Sequence, residues 1–278
     1  MRIAHLSDLH FGRHDQAVVD ALIPELATQA PDLVVISGDF TQHGTEHEFK
    51  AARAFVDKIS APVFAVPGNH DVPQLNLLTR LMHPYALYQK YICDTLEPFV
   101  ELGGIAVLGL KTARRITPDF NWSNGFLGRP QLARLQERFS HASPSAIRVV
   151  VAHHPLLYPE VRNGMAQHIV RNADAALGQF AALGVKLVLS GHFHLSYVRV
   201  HEHPGSSRQG APTGLRQAAS APILVAQTSS TTSTRLRGDP NAYNSIEIDR
   251  DKITINVREW QQDHWVTRER NKEPLVAS

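Results

Sequence analysis

Short apolar runs that break off on aspartate, asparagine or histidine constrain this chain more than any bulk property. Ile3 to Leu6 runs into SDLH, Leu33 to Ile36 into SGD, Val63 to Val66 into PGNHD, Val149 to Ala152 into two histidines, and Val185 to Leu189 into SGHFH. These runs, and Ile105 to Leu110, have the length and β-branched content of buried strands. Between them, residues 17–28, 46–59, 131–139 and 173–183 repeat apolar positions at three-to-four spacing, which predicts helices, with Thr45 and Asn172 as caps. Alternating strands and helices predict α/β units and a largely parallel core sheet. After Leu195 the pattern changes to short β runs, including Ile223 to Ala226, Tyr243 to Ile248 and Ile253 to Val257, read as a second sheet packed on the first. The stretch from His201 to Pro222 is rich in Gly, Ser, Pro and Gln and predicts a mobile loop within one domain spanning residues 1–278.

Bulk properties narrow the class. A chain of 278 residues, 43% hydrophobic and 19% charged, can bury one large core. Its net charge of +2 is too small for the basic face that nucleic acid requires. Cys93 is the only cysteine, which excludes an internal disulfide and a cysteine zinc site. No long apolar segment follows Met1 and Arg2, so neither a secretory signal nor a membrane span is expected, and a cytoplasmic location is. The expected partner is a small substrate; a homo-oligomer is compatible with the sequence.

The polar strand ends carry the chemistry. In a parallel sheet these ends share one edge, where open α/β folds place ligands. Residues two apart in extended backbone point the same way, so Asp8 with His10, and His192 with His194, can each converge on one point. Glycines at Gly38, Gly68 and Gly191 let the backbone turn sharply there. Imidazole and carboxylate donors without thiolates suit manganese, iron, zinc or cobalt, and one carboxylate can bridge two ions. Taken singly, an aspartate after a strand is a helix cap and a histidine is a satisfied core residue. Five such ends together have no such explanation, because a core crowded with unpaired polar groups is costly.

The series Asp8-x-His10, Gly38-Asp39, Gly68-Asn69-His70-Asp71, His153 and Gly191-His192-x-His194 resembles, in order, the motifs of the calcineurin-like binuclear metallophosphoesterases. The resemblance implies an α/β fold, a four-layer α/β/β/α sandwich with two packed mixed sheets, and two divalent metal ions. It implies that Asp8, His10 and His194 bind one ion, that Asn69, His153 and His192 bind the other, and that Asp39 bridges them. Adjacent residues at a strand end face opposite ways, so either His153 or His154 faces the ions; His153 is favoured, followed by a structural His154. His70 would stand beside the ions, facing the substrate phosphate without binding metal. The segments GDFTQHGTEHEF and NGFLGRPQLARL resemble the branch that holds class III cyclic nucleotide phosphodiesterases and bacterial glycerophosphodiesterases. The implied activity is hydrolysis of a small phosphodiester of either type.

Two cations roughly 3.5 to 4 Å apart bring the pKa of a shared water near neutrality, so that the bridging hydroxide attacks phosphorus in line with the leaving alkoxide. A cationic His70 would stabilise the phosphoryl oxygens or protonate the leaving group. Asp71 is read either as orienting His70 or as capping a helix from Val72. Asn69 would ligate through a neutral oxygen, adding no charge to repel the phosphate. A DNA-processing nuclease shares the metal motifs, but the weak charge and the lack of a heptad insertion speak against it. A non-catalytic scaffold is the other alternative, opposed by ligand positions that are all filled. His5, His43, His47, His201, His203, Arg13, Arg114 and Arg115 are expected in core or surface roles.

Overall fold

The structure, a computed structural model, describes residues 1–117, 121–160, 167–202, 222–250 and 252–268. The first half runs β1 (Arg2–Leu6), α1 (Gln16–Gln29), β2 (Leu33–Ile36), α2 (Glu46–Val56), β3 (Val63–Ala65), α3 (Leu77–Met82), α4 (Ala86–Tyr91), β4 (Phe99–Leu102) and β5 (Ile105–Leu110). The second half runs α5 (Arg129–Ala133), α6 (Leu135–Phe139), β6 (Ile147–Ala152), α7 (Ala173–Ala182), β7 (Val185–Ser190), β8 (Tyr197–His201), β9 (Ile223–Gln227), β10 (Ala242–Asp249), β11 (Lys252–Gln261) and β12 (His264–Thr267). Most of the expected loop, residues 203–221, lies outside the described residues.

The strands form two six-stranded mixed sheets, in the orders β12-β11-β10-β1-β2-β3 and β4-β5-β6-β7-β9-β8. In the first, β1, β2 and β3 are parallel and β10 is antiparallel to β1. In the second, β5, β6, β7 and β9 are parallel, with β4 and β8 as antiparallel edges. The strands after Leu195 therefore do not build the second sheet alone. β9 joins β7, while β10 to β12 extend the first sheet. Apolar alternation tells that a strand has a buried face, not which neighbour satisfies its backbone, and β1 has an open edge that β10 pairs.

Side-chain alternation gives each sheet two faces. On one side Leu6, Val34 and Ile36 pack against Val18, Leu22, Phe49 and Phe55 of α1 and α2. Between the sheets, Ile3, Val35 and Phe64 meet Val107, Val149 and Leu187. On the far side Leu108, Val150 and Val188 meet Leu132, Leu135, Leu177 and Phe180 of α5, α6 and α7. The result is the four-layer α/β/β/α sandwich, with each buried Leu, Ile, Val or Phe stabilising it by roughly 1.5 to 3 kcal/mol. Thr45 starts α2 through a capping box: its hydroxyl accepts from Glu48 N at 3.4 Å, and Glu48 Oε2 accepts from Thr45 N at 3.1 Å. Asn172 takes the N-cap position of α7, but its side chain makes no capping bond; its amide donates instead to Leu127 O at 2.6 Å.

Candidate metal centre

The polar residues singled out in the sequence meet at one junction. Asp8 and His10 follow β1, Asp39 follows β2, and Asn69, His70 and Asp71 follow β3, all in the first sheet. His153 and His154 follow β6, and His192 and His194 follow β7, in the second sheet. Asp8, His10, Asp39, His192 and His194 all sit in left-handed backbone, with φ of 53°, 51°, 55°, 75° and 58°. That conformation costs an L-residue about 1 to 2 kcal/mol, so the surroundings must hold it.

Much of the hold comes from Thr228 to Thr234, a Ser/Thr run after β9 that sequence reasoning did not single out. Ser230 Oγ donates to Asp8 O and Thr232 Oγ1 to Leu9 O, both at 2.7 Å, and Ser229 Oγ donates to His194 O at 3.1 Å. The loops also bind one another: Asp8 N donates to Gly38 O at 3.0 Å, His10 N to Asp39 O at 2.9 Å, and Gly191 N to His153 O at 3.0 Å. Gly191 is required by closeness, since a Cβ there would fall on Ser7 Oγ and Asp8 Oδ2.

At the centre, donor atoms face one another. Asp8 Oδ1 lies 3.1 Å from His194 Nε2 and 3.6 Å from His10 Nε2, and those two nitrogens are 3.3 Å apart. Asp39 Oδ2 stands 3.7 Å from His10 Nε2 and 3.3 Å from His153 Nε2, and Asn69 Oδ1 is 3.1 Å from His153 Nε2. The rear nitrogens of two histidines are already bonded: His153 Nδ1 donates to Ser37 O at 2.8 Å and His194 Nδ1 to Arg235 O at 2.7 Å. These bonds turn each Nε2 inward, as metal-ligating histidines are oriented. Asp8 Oδ1 and His10 Nδ1, both buried, have no hydrogen-bond partner. Oxygen and nitrogen donors crowded this closely fit divalent cations, and Asp8 with His10 and His194, and His153 with His192, fall into metal-sized groups.

The charges agree. Burial works against the Asp39 carboxylate, but His153 and His70 hold it well below the usual range. Burial likewise opposes a charged His153, yet Asp39 pushes its imidazole up to about 9. Burial pulls His192 down, and His154 and His153 add to this. His154 also belongs to a metal-sized group with His153 and His192, but both its nitrogens are engaged, Nδ1 with Thr112 Oγ1 at 2.7 Å and Nε2 with Ser123 O at 3.0 Å. Burial pulls it down to about 3, so its imidazole is neutral.

His70 is held from both sides. Its Nδ1 donates to Gln42 O at 2.6 Å, its Nε2 lies 3.3 Å from Arg235 Nη1, and its ring meets that of His10 edge-on at 4.8 Å. Burial lowers its pKa, against the pull of Asp39. Asp71 neither orients this ring nor caps a helix. Its carboxylate accepts from Thr41 N at 3.0 Å, Thr41 Oγ1 at 3.2 Å and Gly68 N at 2.8 Å, tying the β2 and β3 loops, and the next helix begins only at Leu77. Burial, then the like charge of Asp39, pushes Asp71 up to about 7. Arg114 and Arg115 hold the carbonyls of Phe126 and Leu81. Arg235, by contrast, was missed: the sequence around it, STTSTRLRG, carries no metal-ligand signal.

Residues 1–196, which contain Asp8, His10, Asp39, Asn69, His153, His192 and His194, match the calcineurin-like phosphoesterases. The chain belongs to the calcineurin-like phosphoesterase family. With it comes the class of metal-dependent phosphoester hydrolases. A probable cyclic nucleotide phosphodiesterase of Synechococcus sp. is 25% identical over 208 residues, 72% of this chain and 75% of the relative. A probable glycerophosphodiester phosphodiesterase of Arcobacter nitrofigilis is 25% identical over 169 residues, 59% of this chain and 57% of the relative. The fold of this calcineurin-like chain is also that of a dimetal phosphatase from Danio rerio, with a TM-score of 0.67 over 100% of this chain and 99% of that one, at 12% identity. No helix among the described residues is long and apolar enough to cross a membrane.

Proposed function

We propose that this family member hydrolyses a small phosphodiester, of the cyclic nucleotide or glycerophosphodiester type, at a centre of two divalent cations. The supporting observation is the position of Asp39, whose Oδ2 lies between His10 Nε2 at 3.7 Å and His153 Nε2 at 3.3 Å. In this reading Asp8, His10 and His194 hold one ion, Asn69, His153 and His192 hold the other, and Asp39 touches both. The donor set suits manganese, iron, zinc or cobalt. When bound, the ions would supply an activated water and polarise the phosphoryl oxygens. The chain keeps the donors rigid through the Thr228 to Thr234 cradle and presents His70 beside them. Since His70 Nδ1 donates to Gln42 O, its Nε2, beside Arg235 Nη1 at 3.3 Å, is the atom that would turn to substrate.

Two measurements test the reading. Prolonged chelation should abolish cleavage of an aryl phosphodiester, manganese or cobalt should restore it, and Asp39→Ala should lose both ions in elemental analysis. The diester should have a higher kcat/KM than the matching monoester, whose extra charge must also be accommodated. Full turnover after demonstrated metal removal, or clear preference for the monoester, would overturn it.

A further inference from the structure

The proposed site contains a cation that the metal motifs do not include. Arg235 leaves the Ser/Thr cradle with its backbone locked at both faces: its N–H donates to Ser233 Oγ at 3.0 Å and its carbonyl accepts from His194 Nδ1 at 2.7 Å. Its guanidinium therefore projects from a residue bonded directly to a proposed metal ligand. That guanidinium pairs with no carboxylate among the described residues. Its recorded partners are both weak: Gln42 Oε1 at 3.5 Å and the uncharged face of His70, Nε2, at 3.3 Å.

A half-buried arginine that ends on neutral groups beside a phosphoester site is under-used, because its planar fork matches two oxygens of an anion. Arg235 Nη1 stands 3.3 Å from His70 Nε2, and the His70 ring meets that of His10, so a phosphoryl group held against His10 and His70 would come within reach of the guanidinium. We infer that Arg235 is a substrate-binding residue: on substrate arrival it exchanges its long bond to His70 Nε2 for a non-bridging oxygen of the scissile phosphodiester. The exchange breaks one long hydrogen bond to a neutral acceptor, forms one to an anionic oxygen, and frees His70 Nε2. No bond to phosphorus is involved, and no proton need transfer. This rests on the proposed phosphodiesterase reading, in which His70 faces substrate, but extends it to a residue beyond the family motifs.

The test uses inorganic phosphate as a probe that binds without turning over. Metal-loaded wild type, Arg235→Ala and Arg235→Lys are compared by calorimetric titration with phosphate, with metal content and thermal unfolding measured on the same samples. A charge-assisted hydrogen bond of about 1.5 to 3 kcal/mol predicts phosphate affinity weaker by about 10- to 150-fold in Arg235→Ala. Arg235→Lys, which keeps the charge but not the fork, should fall between. Diester kcat/KM should drop in the same order. Phosphate affinity unchanged in a variant with both metals retained overturns the inference, as does a wild type that binds no phosphate. If Arg235→Ala sheds a metal ion, Arg235→Lys decides by the same criterion. Should wild type bind phosphate through Arg235 yet cleave no diester, the anion site stands and the phosphodiesterase reading falls.

Discussion

The two middle residues of PGNHD stand side by side but are expected to fail differently. Asn69 Oδ1 points at His153 Nε2 from 3.1 Å, so Asn69→Ala should weaken one ion and recover in part when manganese is raised. His70→Ala should keep both ions and lower kcat by about 10²- to 10⁴-fold, the range of a positioned acid or base. The loss should be smallest for a nitrophenolate leaving group; loss of a metal ion instead would make His70 a ligand. His5, which is not among the proposed donors, offers a pH test. It is wholly buried between Ser37 Oγ at 2.9 Å and Asn244 Nδ2 at 3.2 Å, and burial lowers its pKa from 6.5 to about 3. The unfolded chain binds a proton there that the folded chain refuses, so stability is full above about 6.5 and is lost as pH falls toward 3. The slope from this group is about 1.4 kcal/mol per pH unit, and urea unfolding of chelated His5→Gln at pH 5 and 7 should show that part of the slope removed. Aspartate and histidine at strand ends were legible because the residue type itself declares the chemistry. Arg235 and Gln42 were not, because a side chain that earns its place through a distant loop leaves no local pattern.

At the scale of elements, the sequence was readable where a helix or strand buries its apolar side. The expected span of β2, Leu33–Ile36, is the observed one, and the Thr45 capping box starts α2. β4, β8 and β12 escaped notice because they are half-exposed sheet edges, whose alternation is blurred. α3 escaped for the opposite reason: it is built inside out. Leu78 is 72% exposed and Met82 64%, while Arg80 is 1% exposed. Arg80 donates to the carbonyls of Val72, Pro73, Arg114 and Arg115 at 2.9 to 3.3 Å, and its guanidinium lies 4.2 Å from the centre of the Trp122 ring. A periodicity that equates apolar with inward cannot find such a helix. Arg80→Met removes the donors and strands the carbonyls, which should destabilise the protein on the order of 3 kcal/mol and speed amide exchange over residues 72–82. Thr45→Ala, by comparison, should cost about 1 kcal/mol and leave diester turnover unchanged.

At the scale of the whole molecule, α/β alternation specified two kinds of layer, and the motif order specified which strand ends meet. The pairing of β10 with β1 could not be read, because strand partners are chosen by the tertiary arrangement. If ions bind the folded chain alone, chelation should lower the unfolding temperature, and restoring manganese at about 100 times its dissociation constant should return about 2.7 kcal/mol of stability. The donors are divided between the sheets: Asp8, His10, Asp39 and Asn69 belong to one, His153, His192 and His194 to the other. In the proposed assignment each ion draws on both, so neither sheet alone can complete a coordination sphere. Coordination then becomes a clock for assembly. During refolding in the presence of cobalt, far-ultraviolet dichroism should recover first as the separate sheets form, and the visible colour of the bound ion should develop only with the slowest phase, when the two sheets close on each other.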